Sequence, residues 1–324
     1  MSLKYPSISL IQPSTLFLLA PYPLSLIPYP LSLIPYPLSL IPYLLLPSAP
    51  QYLSASAPLK RKFFVTLTLC NFATFYTLRY FIEFAYNGKN YHGWQYQPQS
   101  ASVQETLTKA LSLLLKKEIE LMGAGRTDAG VHAKQMYAHF DYEETLDSVY
   151  WTKKLNSFLP KDIVVYRLVP LHDDAHARFD ATSRTYEYHI HTFKDAFENE
   201  GSWYHFHPLD VEKMNEAAKI LFDYIDFECF SKTHSDVRTF NCVIKEAFWQ
   251  QNGTRLVFTI TADRFLRNMV RAIVGTLIGV GIGKISLDDF RKIIESKNRG
   301  NAGFSVPAHG LYLTKVIYPY LHKH

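Results

Sequence analysis

The sequence predicts an α+β fold with helices packed on a large sheet. Strand-like and helix-like segments alternate from about Leu78 onward, turn signals join successive strands as antiparallel hairpins, and capping sequences open the helices.

Arg79–Tyr86 reads as a strand, and Asn87-Gly88 is a turn signal before a second aromatic segment, Tyr91–Gln95. Ser102-Val103-Gln104-Glu105 forms a capping box, after which Val103, Leu107, Ala110, Leu111, Leu114 and Leu115 recur at helical spacing. Ile119–Met122 and Val131–Tyr142 read as strands flanking a glycine-rich loop. A helix over 147–158 and a short strand at Ile163–Leu168 follow. Arg184–His191 alternates, so that Arg184, Tyr186, Tyr188 and Ile190 share one face. Asp210 caps a helix carrying Met214, Ala217, Ala218, Leu221 and Phe222. Strands near Arg238–Gln250 and Thr254–Ala262 lead into a long helix from about Asp263 to Val280. Ser286 starts one more helix, and Gly310–Val316 closes the sheet.

The 324 residues are enough for roughly two domains. Residues 1–78 differ from the rest. No charge occurs between Tyr5 and Leu59, and Pro-Tyr-Pro-Leu-Ser-Leu-Ile repeats in tandem at 21–27, 28–34 and 35–41. Twelve of the 18 prolines fall in the first 60 residues, which argues against a spanning helix, since each removes an amide donor. The apolar run at 16–20 behind Lys4 has the outline of a secretory signal, but its positive region is thin. A disordered or non-native extension is the plainer reading. Phe63–Leu78, uncharged behind Lys60-Arg61-Lys62, is the one remaining anchor candidate.

The formal charge of +5 is uneven: four of the 34 basic residues precede Arg79, which leaves 30 against 29 acidic residues in the body. Bulk charge therefore does not mark a nucleic-acid partner, and local clusters must. Cys70, Cys229 and Cys242 lie too far apart in sequence for a cysteine motif, against a disulfide scaffold or a zinc site and in keeping with a reducing compartment.

The densest polar cluster is Gly123-Ala124-Gly125-Arg126-Thr127-Asp128-Ala129-Gly130-Val131-His132. It is not a phosphate loop, because Val131 and His132 stand where Lys and Ser/Thr are required. It is not a dinucleotide fingerprint either, because Asp128 replaces the third glycine. Two readings remain: an ionised nucleophile oriented by the adjacent Arg126, or an Asx-turn with a surface ion pair. On the long helix, Arg264, Arg267, Asn268 and Arg271 form a stripe that either meets carboxylates and phosphates or snorkels at a helix end. Trp94, Tyr96, Tyr186 and Tyr188, among Arg126, Arg178 and Arg184, either stack on bases or fill a core. The histidine pairs 189/191 and 205/207 read as structural, with no metal set completed. No Ser-His-Asp motif is evident.

Taken together, the segments resemble the tRNA pseudouridine synthase A family over about 79–319. The matching pieces are Tyr86-Asn87-Gly88, Gly93-Trp94-Gln95-Tyr96-Gln97, Gly125–Ala133, Asn156-Ser157-Phe158-Leu159-Pro160, Ala177-Arg178-Phe179 with Arg184–Tyr188, Phe265–Arg271 with Ile273-Val274-Gly275, and Ala308–Leu313. The resemblance implies that Asp128 is the catalytic nucleophile with Arg126 beside it in the active-site loop. It implies that Tyr186 stacks on the target base and takes the C5 proton, that Arg271 pairs with Asp128, and that Leu311 lines the pocket. Arg178 and Arg184 join Tyr186 and Leu311 as expected substrate-binding residues. Asn87 departs from the family's usual Asp, though both suit that turn.

The resemblance further implies two similar halves, 79–180 and 181–324, around a central antiparallel sheet with an active-site cleft between them. Nothing in the family corresponds to 1–78. The implied activity is isomerisation of tRNA uridine to pseudouridine at positions 38–40 of the anticodon stem-loop, by a cytoplasmic homodimer with no cofactor, metal or membrane partner. The alternative is a non-catalytic RNA-binding protein on the same fold, which would have no need of the Asp128 carboxylate.

Overall fold

A computed structural model describes residues 77–233 and 237–321. The expectations for the proline-rich leader fall outside these residues. Among them no helix is long and apolar enough to cross a membrane.

The strands are β1 (Leu78–Tyr86), β2 (Met122–Gly123), β3 (His132–Tyr142), β4 (Ile163–Leu171), β5 (Ser183–His191), β6 (Trp203–Tyr204), β7 (Ile244–Asn252), β8 (Arg255–Ala262) and β9 (Leu311–Ile317). They form one sheet in the order β4-β1-β3-β9-β5-β8-β7, with β2 on β3 and β6 on β5. The helices are α1 (Val103–Leu115), α2 (Ser148–Phe158), α3 (Val211–Ile220), α4 (Met269–Gly281) and α5 (Leu287–Glu295). The fold is α+β, as expected, but the sheet is mixed. It is antiparallel except where β3 meets β9, through His132 opposite Tyr312 and Ala133 opposite Leu313, and where β5 meets β6.

That short parallel junction separates two hydrophobic clusters. The first packs α1 and α2 against β1, β3 and β4 and contains Phe81, Phe84, Trp94, Leu107 and Phe140; the second packs α3, α4 and α5 against β5, β7 and β8 around Phe230, Phe258, Ile273 and Phe290. Each such fully buried side chain contributes about 1.5–3 kcal/mol. Leu313 and Val316 of β9 belong to the first cluster and Leu311 to the second, so this one strand ties both together.

Several local expectations are corrected. The Ser102 hydroxyl accepts the Glu105 N–H at 3.2 Å, but the Glu105 carboxylate turns to Lys109 at 2.6 Å, so only half of the capping box forms. The full box is at Ser286 and Asp289. Ile119–Met122 is a strand only at its end. Phe222 lies past α3 and is exposed. Strand β7 starts at Ile244 rather than near Arg238. Most important for the site, α4 begins at Met269: Asn268 adopts a left-handed conformation with φ of 68°, which breaks any helix from Asp263. Arg264 and Arg267 therefore sit on the loop leading to α4, and Arg271 alone of the arginine stripe is helical.

Candidate active site

The loop between β2 and β3 ends in a β-turn. The Val131 N–H donates to the Asp128 carbonyl at 3.2 Å, and Gly130 supplies the positive φ of 78° at the third position. Two anchors fix this turn. The Thr127 hydroxyl accepts the Trp94 N–H at 3.0 Å and bonds the Tyr86 hydroxyl at 2.9 Å. The chain at Gly93 lies so close that a Cβ there would be 2.2 Å from the Thr127 carbonyl oxygen, on a backbone with φ of 91°. On the other side, His132 Nδ1 accepts the Gly88 N–H and its Nε2 bonds the His309 carbonyl, both at 3.1 Å. Burial lowers the His132 pKa, which suits a neutral ring accepting on one nitrogen and donating on the other.

Asp128 is thus presented from a rigid turn, and two guanidiniums meet it. Arg271 Nη1 lies 3.2 Å from one carboxylate oxygen and Arg267 Nε 3.8 Å from the other. Arg271 is itself held, its Nε donating to the Val306 carbonyl at 2.7 Å, and its side chain is 20 % exposed against 59 % for Arg267. The structure therefore brings together Asp128 and Arg271. Arg126 is different. Its side chain is exposed and makes no ion pair among the described residues; its charge bears on Arg178 instead. Orientation of Asp128 comes from the segment 267–271, not from the neighbour two residues away.

Tyr186 projects from β5 with its ring edge-on to Phe265, the centroids 5.1 Å apart. Burial first, and then the charge of Asp128 opposed by that of Arg184, push its phenol up to about 12. Leu311, 5 % exposed, begins β9 in the second cluster, which also holds Val131 and Val306 and against which Tyr186 packs. Arg184 is occupied: it donates to the carbonyls of Ala124 and Arg178 at 2.8 Å, Asp263 at 2.9 Å and Ala181 at 3.4 Å. It staples three segments around the site rather than offering a free cation. Arg178 is exposed, and burial of part of its side chain together with the charges of Arg126, Arg184 and Arg264 lowers its pKa. Trp94 and Tyr188 are core residues, whereas Tyr96 is exposed.

Sequence reasoning missed the Thr127–Tyr86–Trp94 clamp, the His132 tether and the satisfied state of Arg184. Gly93 beside Trp94 was the one visible signal of a close approach. Among the described residues no group of three or more His, Cys, Asp or Glu side chains could hold a metal ion. The arrangement can hold a carboxylate against a polar ligand beside an aromatic surface, at the edge of a cluster of guanidiniums.

Comparison with known proteins gives a consistent picture. A family model described as tRNA pseudouridine synthase matches residues 217–319. The chain is 57 % identical over 242 residues to a tRNA pseudouridine synthase A of Parabacteroides distasonis, covering 74 % of this chain and 96 % of that protein. It is 58 % identical over 243 residues to the enzyme of that name from Bacteroides fragilis, with the same coverage, and 40 % identical over 238 residues to the one from Bacillus licheniformis, covering 72 % and 96 %.

Proposed function

The chain belongs to the tRNA pseudouridine synthase A family, and from that premise we propose that Asp128 is its catalytic carboxylate and that its target is uridine 38–40 in the anticodon stem-loop of tRNA. Membership makes the chain an isomerase of tRNA uridine. The N1–C1′ bond breaks, the base turns, and a C5–C1′ bond forms as C5 loses a proton and N1 gains one, with no net redox change. The observation that carries the assignment of Asp128 is its carboxylate on a glycine turn, 3.2 Å from Arg271 and bearing electrostatically on Tyr186.

The chemistry asks for a carboxylate acting at the sugar, by attack at C1′ or by assisting elimination, and Arg271 and Arg267 hold one in place. The target base must leave its stack, and Tyr186 offers a replacement surface. With its pKa pushed to about 12, Tyr186 meets the base as a neutral phenol, so it removes the C5 proton only by passing its own proton in concert to solvent, from which N1 gains one. Leu311 lines the pocket floor, Arg178 contacts phosphate, Arg184 positions the surrounding loops, and Arg126 meets RNA at the rim.

The segments 79–180 and 181–324 form the two halves flanking the cleft, a reading supported by the two hydrophobic clusters and the parallel junction at His132 and Ala133. The enzyme acts as a cytoplasmic homodimer on tRNA. The match of 242 residues spans 96 % of a relative's length and 74 % of this chain.

The test is to incubate the full chain with unmodified tRNA transcript and map pseudouridine. Product at positions 38–40 is expected; its absence overturns the assignment. Asp128→Asn separates catalysis from RNA binding alone, since binding should survive while isomerisation is lost.

A further inference from the structure

Phe179 stands out among the exposed aromatics. It is 74 % exposed, yet the loop that carries it is built by hydrogen bonds. His176 Nδ1 accepts the N–H groups of both Arg178 and Phe179, at 3.1 and 3.3 Å. The Asp180 carboxylate accepts the His176 N–H at 2.7 Å and the Tyr320 hydroxyl at 2.8 Å, and the Asp180 N–H returns to the His176 carbonyl at 3.1 Å. The His176 ring backs the Phe179 ring at 4.3 Å, and the Arg178 guanidinium lies 5.7 Å from its centre. A ring fixed this way presents a planar aromatic face on which something can stack.

The surroundings say what. Arg184 binds the Arg178 carbonyl and the Ala124 carbonyl with the same nitrogen, which sets this loop beside the base of the Asp128 loop. The charges of Arg126, Arg184 and Arg264 all bear on Arg178. Phe193 and Phe197 are exposed too, but Glu198 and Glu200 beside them are paired with Arg255 and Lys89, and the segment 193–200 carries no arginine. We propose that Phe179, with Arg178, is a stacking platform for an unpaired RNA base next to the target uridine, so that the flanking nucleotide is gripped when the target is drawn out. This rests on the tRNA-modifying function proposed above.

The experiment uses anticodon stem-loop RNA carrying 2-aminopurine beside the target uridine, with the full chain as wild type, Phe179→Leu and Phe179→Tyr. Binding is followed in the Asp128→Asn background and turnover in the active one. Wild type and Phe179→Tyr should quench the fluorescence, whereas Phe179→Leu should lose the quench and raise KM about tenfold with kcat within threefold. An unchanged KM and quench in Phe179→Leu, with wild type active, overturns the platform and leaves the function standing. A drop in oligomer mass by light scattering that tracks the loss of binding assigns the ring to a protein contact and also overturns it. A wild type that neither binds nor isomerises the RNA overturns the function, and the platform with it.

Discussion

Two places in this fold join a carboxylate, an arginine and a tyrosine, and they are built differently. Glu83, Arg167 and Tyr137 face one another across β1, β4 and β3 in direct register. Glu83 receives Arg167 Nε and Gln135 Nε2, both at 2.6 Å, and Gln135 also donates to the Tyr137 hydroxyl at 3.1 Å. Asp128, Arg271 and Tyr186 come from a turn, a helix and a strand, with Arg271 3.2 Å from Asp128 and Arg267, outside the trio, at 3.8 Å. Both tyrosines are pushed up to about 12 by burial and by the neighbouring carboxylate. A perturbed pKa therefore does not separate the structural trio from the one proposed to be catalytic. Saturation does: both Glu83 oxygens have short donors and its side chain is 11 % exposed, while Asp128 is held at arm's length and 23 % exposed.

The sharpest way to break this comparison is to neutralise each carboxylate. Asp128→Asn should cut turnover at least about a thousandfold, the scale of a lost nucleophile, and leave thermal unfolding almost unchanged. Glu83→Gln should do the reverse, keeping turnover within about threefold while lowering the melting temperature. Turnover within tenfold of wild type for Asp128→Asn would mean that the two trios have been assigned the wrong way round.

Next come the arginines. Arg271 is nearer to Asp128 and fixed by the Val306 carbonyl, so Arg271→Ala should lower kcat about a hundredfold. Arg267, more exposed and farther away, should cost about tenfold or less, shown mainly in KM and in salt dependence. Equal effects from the two would remove the case for a rigid helical partner. In the structural trio, Arg167→Ala leaves Glu83 with Gln135 but no cationic partner and should lower unfolding free energy by about 2 kcal/mol in denaturant titrations, less than for a fully buried pair because Arg167 is 25 % exposed.

Strand and helix order was readable because periodicity and caps are local, and Asp210 and Ser286 cap their helices as the sequence indicated. The long helix was misjudged because residues 263–268 include good helix formers, whereas Asn268, a residue type that tolerates the left-handed region, turns there and donates to the Ser305 hydroxyl. The Asp128 turn was legible as a dense motif, but its partners were legible only through family resemblance. Arg271 lies 143 residues away, and no spacing rule predicts such a contact. Arg126 illustrates the converse error, adjacency in sequence taken for adjacency in space. The Glu83 trio left no signal at all, since its members occur at ordinary strand positions.

The smallest expected effect tests the shared feature of the two trios, their tyrosines. Each phenol ionises near 12 in the folded chain and near 10 when unfolded, so the folded state disfavours the phenolate. The stability each contributes is fully present below pH 10 and is lost as pH climbs from 10 through 12, because only the unfolded chain gives up its proton across that window. Burial is the larger cause in both, so removing a neighbouring negative charge should shift each titration only slightly, and downward. Carbon-13 NMR of labelled tyrosine rings can follow this: Glu83→Gln should lower the Tyr137 midpoint and leave Tyr186 alone, and Asp128→Asn should do the opposite. A Tyr186 midpoint unmoved by Asp128→Asn would show that the carboxylate does not reach the phenol, and the electrostatic link offered in support of Asp128 would have to be abandoned.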